Sequence, residues 1–267
     1  MRVRTFLLMT GAAAVTAAAA YGYAVRPWWR SWGVDSAASE ASFPGDDLVA
    51  DATAVDTRTI EIAAPPAAVW PWLVQMGYGR AGWYSYDAMD MRGKSADAIH
   101  PEWQSLSEGD LVPVAPDSGF VVRLIEPGRV LVLYGDDALF REQAEKSRVA
   151  REAAEAVEET PANLKAVGTM MPSMPGFAAS WAFVLEPFDG GIHTRLVERL
   201  RFHASGEQKG MDAFLSAFGF GVFVMLRKQM LGIRDRAERA LEAEAAAPAA
   251  AAGPELNAAP SPEPAAT

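Results

Sequence analysis

The chain of 267 residues has no cysteine and a formal net charge of −10, so disulfide bonds, thiolate metal sites and thiol nucleophiles are excluded. Residues 1–40 carry a net charge of +2, residues 41–245 carry −10 and residues 246–267 carry −2. An acidic body gains nothing from counterion release, so we expect no binding to nucleic acid. We predict an N-terminal membrane anchor with an interfacial linker (1–40), one folded domain (41–245) and a disordered Ala/Pro tail (246–267).

The anchor is predicted from residues 5–25, a run of 21 residues without a charge. As a helix this run would be about 31 Å long, enough to cross a bilayer. Arginines flank it, and Trp28, Trp29 and Trp32 follow it, as is typical of a membrane–water boundary. We therefore predict a single-pass membrane protein with its body outside the cytoplasm. A signal peptide cleaved near Ala18 and Ala20 is the alternative.

The folded domain begins with a strand at 57–62, where apolar and polar residues alternate. A helix follows from Pro66, and Pro71 should kink or shorten it. Short β-rich runs come next, at 111–115, 119–126, 129–135, 179–188 and 193–203. The Asp189-Gly190-Gly191 sequence predicts a hairpin between the last two.

Two helical segments complete the domain. An insertion at 136–176 contains a predicted helix at 138–159 and a Met-rich stretch at 170–175, and it is either a solvated excursion or a lid over an apolar ligand. The apolar residues between Met211 and Leu241 recur at helical spacing and predict a long C-terminal helix. The fold class is therefore α+β, with a curved antiparallel sheet around that helix.

The segment after the first helix contains a literal G-x-G-x-x-G sequence at 77–82. A dinucleotide site requires a strand before the glycines and a helix after them, whereas here a helix precedes. We interpret the glycines as a helix stop and a turn. No cofactor is indicated.

Aromatic and charged side chains that could line a concave site follow within a short, irregular stretch. They are Arg80, Trp83, Tyr84, Tyr86, Asp87, Asp90, Asp97, His100, Glu102 and Trp103. The acids and His100 could surround a metal ion, but no pair of histidines has ligand spacing. A solvated acidic loop is the favoured interpretation, and neither a metal site nor a catalytic triad is predicted.

One strand carries an acid on its apolar face. In 194–202, Glu198 alternates with Leu196 and Leu200, while Arg195, Val197, Arg199 and Arg201 occupy the other face. If the apolar face turns inward, Glu198 needs a partner or a raised pKa. Arg123 is the candidate partner. Alternatively, a bulge or the sheet edge leaves Glu198 in water.

Several blocks resemble a bacterial, membrane-anchored branch of the SRPBCC superfamily, the START-like, polyketide cyclase/dehydrase-type helix-grip proteins. They are F-P-G-D-D-L-V at 43–49, A-A-V-W-P-W-L-V-Q-M-G at 67–77, G-R-A-G-W-Y-S-Y-D at 79–87, S-A-D at 95–97, P-E-W-Q at 101–104 and F-V-M-L-R-K-Q-M-L-G-I at 223–233. The resemblance covers residues 43–241 and implies a sheet gripping a long C-terminal helix, with an apolar cavity between them. It does not imply one activity, because carriers, sensors and cyclases share this fold.

We therefore predict membrane-tethered binding or transfer of a hydrophobic small molecule, lipid-like or polyketide-like, rather than enzymatic activity. The candidate ligand-binding residues are Arg80, Trp83, Tyr84, Tyr86, Asp87, Trp103, Arg123, Trp181, Glu198, Phe218 and Met225. The alternative is a cyclase/dehydrase-type enzyme in which Glu198, Asp87 or His100 acts as general acid or base. A third hypothesis is a partner-binding module that uses the insertion and the tail. The oligomeric state is left open.

Overall fold

The computed structural model describes residues 16, 19–34, 41–88, 94–116, 118–155, 176–205 and 211–251. Six strands form one antiparallel sheet, as the sequence predicts. They are β1 (Ala54–Ile62), β2 (Leu111–Ala115), β3 (Ser118–Glu126), β4 (Val130–Asp136), β5 (Ala178–Phe188) and β6 (His193–His203). Their order in the sheet is β1-β6-β5-β4-β3-β2, so β1 and β2 are the edge strands.

Four α-helices accompany the sheet in the described part of the chain. They are α1 (Arg26–Arg30), α2 (Pro66–Val74), α3 (Asp137–Glu155) and α4 (Met211–Ala251). Helix α2 begins at Pro66, whose fixed φ suits a first turn, and it ends shortly after the internal Pro71. The α+β prediction, with a long C-terminal helix, is confirmed. Helix α4 continues to Ala251, past the predicted start of the tail, because alanine has the highest helix propensity.

The main hydrophobic core lies between α4, α2 and the inner face of the sheet. Helix α4 contributes Leu226, Met230, Ile233 and Ala237 at helical spacing, all of them buried. The sheet contributes alternate residues of its strands, such as Phe183 and Leu185 on β5, because successive side chains point to opposite faces. This arrangement is consistent with a helix-grip fold.

The outer face of the sheet is covered by the segment that precedes β1. Phe43 and Leu48 pack on a small cluster that includes Val132 and Val197. Asp46 accepts a hydrogen bond from Nε of Arg199 at 2.8 Å, so an arginine on the outward face of β6 is nevertheless buried. The 43–49 block of the resemblance therefore closes the outer face.

The end of the predicted anchor and the residues that follow it pack on the domain, and we call residues 21–34 the N-terminal strap. Trp29 is only 3% exposed, and its ring lies 6.1 Å from that of Phe223 on α4. The guanidinium of Arg227 lies 4.9 Å from the ring of Trp32. Gly219 makes the close approach of the strap possible, because a Cβ there would lie 2.9 Å from the tip of the Trp29 ring.

The membrane-anchor prediction falls mostly on residues outside the described ones, namely 1–15, 17 and 18. In the portion that the structure describes, no helix has the length and apolar character needed to cross a membrane. Trp29, which the sequence analysis places at a membrane–water boundary, is buried against α4 in the structure, whereas Trp28 is 53% exposed.

The insertion begins with α3, which docks on the domain through its first turns. The ring of Phe140 lies 5.7 Å from that of Phe120 on β3 and 5.6 Å from that of Phe177. Gln143 accepts a hydrogen bond from the backbone N–H of Gly119 and donates one to its carbonyl. The Met-rich stretch at 170–175 lies outside the described residues, so the two alternatives for the insertion, a solvated excursion or a lid, both remain predictions.

Candidate functional site

Glu198 on β6 is the best-defined candidate for a functional group. The alternation of β6 places Glu198 with Leu196 on the inner face, where its exposed fraction is 0%. The strand register sets Arg58 of β1 directly opposite it on one side and Phe183 of β5 on the other. The expectation that a bulge or the sheet edge leaves Glu198 in water is therefore wrong.

The Glu198 carboxyl group is only half satisfied by the protein. Its Oε1 accepts a hydrogen bond from Nε1 of Trp181 at 2.8 Å, whereas Oε2 has no partner among the described residues. Nη1 of Arg58 is likewise buried without a partner. Buried polar atoms are usually paired, so two unpartnered atoms on facing strand positions indicate a place for a polar group.

Arg58 also belongs to a buried string of charges. Asp56 accepts hydrogen bonds from Nε of Arg30 at 2.7 Å and from Nη2 of Arg58 at 3.0 Å. Nε of Arg58 donates to the carbonyl of Trp29, and its guanidinium lies 5.5 Å from the Phe223 ring. These contacts fix Arg58 opposite the acid. We call Arg30, Asp56, Arg58, Trp181 and Glu198 the Arg58–Glu198 cluster.

Arg123 is not the partner of Glu198, so that prediction is wrong. Strand β3 is separated from β6 by β4 and β5. The pairing of β3 with β4 shifts register between Val122 and Leu124, and Arg123 is exposed at this irregularity. Its guanidinium lies 5.4 Å from the Tyr134 ring.

Burial raises the pKa of Glu198, because removal from water disfavours the charged form. The positive charge of Arg58 and the hydrogen bond from Trp181 act in the opposite direction, and the charge of Asp56 adds to the rise. A carboxyl group of this kind keeps its proton to a higher pH than an ordinary glutamate does, and it can donate that proton from Oε2, because Oε1 already accepts the indole N–H.

The raised pKa of Glu198 predicts a specific pH dependence of stability. Between the ordinary glutamate pKa and the raised value, the native state binds more protons than the unfolded state. The contribution of Glu198 to the free energy of unfolding should therefore fall as pH rises through this window. Thermal unfolding across this range should show a smaller fall for Glu198→Gln than for the wild type. Glu186→Gln, a control on β5 whose side chain is 45% exposed, should keep the wild-type slope, and equal slopes in all three proteins would contradict the prediction.

An aromatic wall adjoins the carboxyl group. The ring of Trp181 stacks on Trp83 at 5.3 Å with an interplanar angle of 19°, and it lies 5.0 Å from Phe183 and 6.0 Å from Phe120. Phe140 of the insertion extends this wall through Phe120. The structure thus brings together three predicted site residues, Trp83, Trp181 and Glu198, although they come from distant parts of the sequence.

The irregular stretch that follows α2 is organised by a fully buried glutamine, Gln75. Its Nε2 donates to the Tyr84 hydroxyl group at 2.9 Å and to the Ala98 carbonyl at 3.1 Å. Its Oε1 accepts from the His100 backbone N–H at 3.0 Å and from Nε2 of Gln104 at 3.2 Å. One side chain therefore joins distant points of the loop.

Two other predicted site residues, Arg80 and Tyr84, form hydrogen bonds to backbone carbonyls in and around this loop. Nη2 of Arg80 donates to the carbonyls of Val74 and Trp103, and burial lowers the pKa of Arg80. The Tyr84 hydroxyl group donates to the Trp72 carbonyl, and burial raises the pKa of Tyr84.

The remaining predicted ligand-binding residues are dispersed. Asp87 is exposed and accepts hydrogen bonds from the backbone and hydroxyl groups of Ser95, and Tyr86 is 42% exposed. Met225 is half-buried on α4, where its carbonyl accepts from Ser85. The side chain of Phe218 lies outside the described ones. We find no group of three or more His, Asp or Glu residues able to hold a metal ion within the described ranges, and Asp90 falls outside them.

Sequence reasoning missed Arg30, Asp56, Arg58 and Gln75. The available signal was the alternation in β1, which puts Asp56 and Arg58 on the same face as Ile60 and Ile62. Two charged residues on an apolar face imply a buried partner, and Glu198 carries the same signal. For Gln75 the sequence offered no signal, since a single glutamine at a helix end is common.

Comparisons with known proteins give only distant likenesses. Neither a protein-family model nor a curated protein matches the sequence. Protein Ms6760 from Mycobacterium smegmatis shares 14% identity at a TM-score of 0.33, over 68% of this chain and 88% of its own. The Zhui aromatase/cyclase from Streptomyces sp. R1128 shares 13% identity at a TM-score of 0.29, over 72% and 97%. Aha1 from Colwellia psychrerythraea shares 13% identity at a TM-score of 0.26, over 68% and 98%. The fold therefore rests on the strand order and the C-terminal helix of this chain.

Proposed function

We propose that this protein is a membrane-tethered domain that binds or transfers a hydrophobic small molecule carrying one polar group. The observation that supports this most strongly is the pair of unpartnered atoms in the Arg58–Glu198 cluster. Arg58 offers an N–H donor, and Oε2 of Glu198 offers an acceptor when ionised or a donor when protonated. The aromatic wall beside them would contact the apolar part of the molecule. The polar group would thus satisfy buried atoms that have no partner within the described part of the chain.

Organic extraction and mass spectrometry of the purified full-length protein test this proposal. We expect the wild type and Glu186→Gln to carry the same apolar molecule, and Glu198→Gln to carry several-fold less of it, because the amide changes the hydrogen bonding at Oε2. Lipids held only by the N-terminal segment would be equal in all three proteins, so the difference identifies the interior site. Equal extracts from all three, or no apolar molecule in any, would contradict the proposal.

A second candidate function is a reaction of the cyclase/dehydrase type, with Glu198 as general acid or base. The raised pKa of Glu198 favours this candidate, because a buried carboxyl group that keeps its proton more tightly than an ordinary glutamate can exchange that proton with a bound molecule. Asp87 is a weaker candidate, since it is exposed and bound to Ser95. His100 has Nδ1 3.3 Å from a Glu102 carboxylate oxygen, on the surface.

Turnover separates the two functions. If the protein is an enzyme, prolonged incubation with the wild type changes the mass or the absorption spectrum of the extracted molecule. Glu198→Gln should abolish this change, whereas Glu186→Gln should not. A molecule that binds to the wild type and is recovered unaltered identifies a carrier.

A further inference from the structure

The N-terminal strap and the start of α4 share an exposed apolar surface. Tyr23 is 88% exposed, Val25 38%, Trp28 53% and Phe220 39%. Trp28 and Phe220 both pack against Phe223, with ring distances of 5.5 and 6.0 Å to it. We call Trp28 and Phe220 the aromatic surface; Tyr23 and Val25 are exposed in the same strap. Large apolar side chains grouped in this way mark a site of interaction.

Positive charges accompany this surface on a chain that is otherwise acidic. Arg26 precedes Trp28 in the strap and is exposed, and the exposed Arg227 and half-buried Lys228 follow Phe223 on α4. Because the whole chain has a net charge of −10, a group of basic residues beside an apolar surface differs from the composition of the rest of the chain. Such a combination matches an anionic bilayer, whose negative surface potential attracts basic residues close to it.

The position of the aromatic surface along the chain also indicates a lipid bilayer as its partner. The uncharged run 5–25 ends within the strap, and Tyr23 and Val25 are its last large residues. Tyrosine and tryptophan have an apolar ring with a polar edge and favour the membrane–water boundary. Phe220 is distant in sequence, but its ring packs against Phe223, which also contacts Trp28 of the strap.

We propose that the aromatic surface rests on an anionic lipid bilayer, so that the folded domain itself contacts the membrane through the start of α4. This goes beyond tethering, because a tether alone leaves Phe220 in water. The strap then joins the bilayer contact to the Arg58–Glu198 cluster, since Arg30 of the strap belongs to that cluster and Arg58 donates to the carbonyl of Trp29.

Single-cysteine labelling tests this proposal, because the chain has no native cysteine. An environment-sensitive fluorophore is attached to Phe220→Cys in the full-length protein, reconstituted in phosphatidylcholine vesicles with and without phosphatidylglycerol. The matched control is Ile192→Cys, an exposed apolar residue at the β5–β6 turn, with 60% exposure. The turn lies near the C-terminal half of α4. Thr194, just after the turn, pairs with Ile62, and the next residue, Ala63, donates its backbone N–H to Glu238 of α4.

We expect the label at 220 to emit at shorter wavelength in vesicles and to be quenched by lipids with nitroxide-bearing acyl chains, more strongly with phosphatidylglycerol. The label at 192 should show neither effect. Lys228→Glu should reduce the quenching at 220, and Lys146→Glu, an exposed lysine on α3, should not. Lack of lipid quenching at 220 would overturn the proposal, and a wavelength shift without quenching would identify a protein contact instead. The extraction experiment is independent, so ligand binding and membrane contact can fail separately.

Discussion

Arg58→Met is expected to lower the free energy of unfolding by about 3–5 kcal/mol, the usual cost of removing one partner from a buried charge group. Arg58 is fully buried between Asp56 and Glu198, and it also binds the Trp29 carbonyl. Methionine fills much of the same volume but supplies no hydrogen-bond donor. Urea unfolding of the full-length protein measures the loss.

Two further variants separate lost charge from lost packing. Arg195→Met removes an arginine that is 47% exposed and lies 3.6 Å from Glu61, so the change should stay within about 1 kcal/mol. Adding Glu198→Gln to Arg58→Met should recover part of the loss, because the acid no longer needs a counter-charge. A coupling free energy below about 0.5 kcal/mol would show that the two side chains act independently and would contradict this account.

Gln75→Leu is expected to lower the free energy of unfolding by about 3 kcal/mol or more. It removes hydrogen bonds to four groups, and each buried group left unsatisfied costs about 1–3 kcal/mol. The loss should be accompanied by faster proteolysis of the loop between Gly82 and Gln104. Urea unfolding and timed digestion measure the two effects.

Gln229→Leu provides a matched control, because Gln229 is also buried but poorly satisfied. Its Oε1 has no partner in the described chain, and its Nε2 contacts only the Met76 sulfur at 3.3 Å. Replacing such a group with an apolar one of similar size is nearly neutral or stabilising. Equal losses for the two variants would contradict the role that we assign to Gln75.

The sheet was predictable because its signal is local. Alternation along 193–203 reflects the two faces of a strand, and it puts Glu198 on the same face as Leu196, but it does not by itself show that this face is buried at Glu198. The identity of its partner was not local information. The partner's identity depends on β1 lying beside β6 in the sheet, although four strands separate β1 from β6 along the chain. The order of strands is decided by packing of the whole domain, so the sequence pattern alone cannot distinguish Arg58 from Arg123 as the partner.

The loop after α2 was predictable in part. The glycines at 77–82 form a turn, closed by a bridge between Gly77 and Gly82, as their inverted context indicates. The aromatic ring of Tyr84 predicts a ligand-binding role, but Tyr84 adopts a φ of 55° and lies buried, with the Arg236 guanidinium 4.7 Å from its ring. A positive φ in a tyrosine is uncommon and has no sequence signal, so its buried position could not be foreseen.

The N-terminal strap also protects the sheet from self-association. Strand β1 is an edge strand, and an open edge can pair with another chain. The strap occupies this edge, because the Thr59 backbone N–H donates to the Trp32 carbonyl at 3.1 Å and Arg30 donates to the Val55 carbonyl at 2.9 Å. A protein shortened to residues 41–267, as the predicted boundary suggests, would lose this cover and aggregate through β1. The strap is therefore part of the folding unit, and soluble versions of the domain should begin before Arg26.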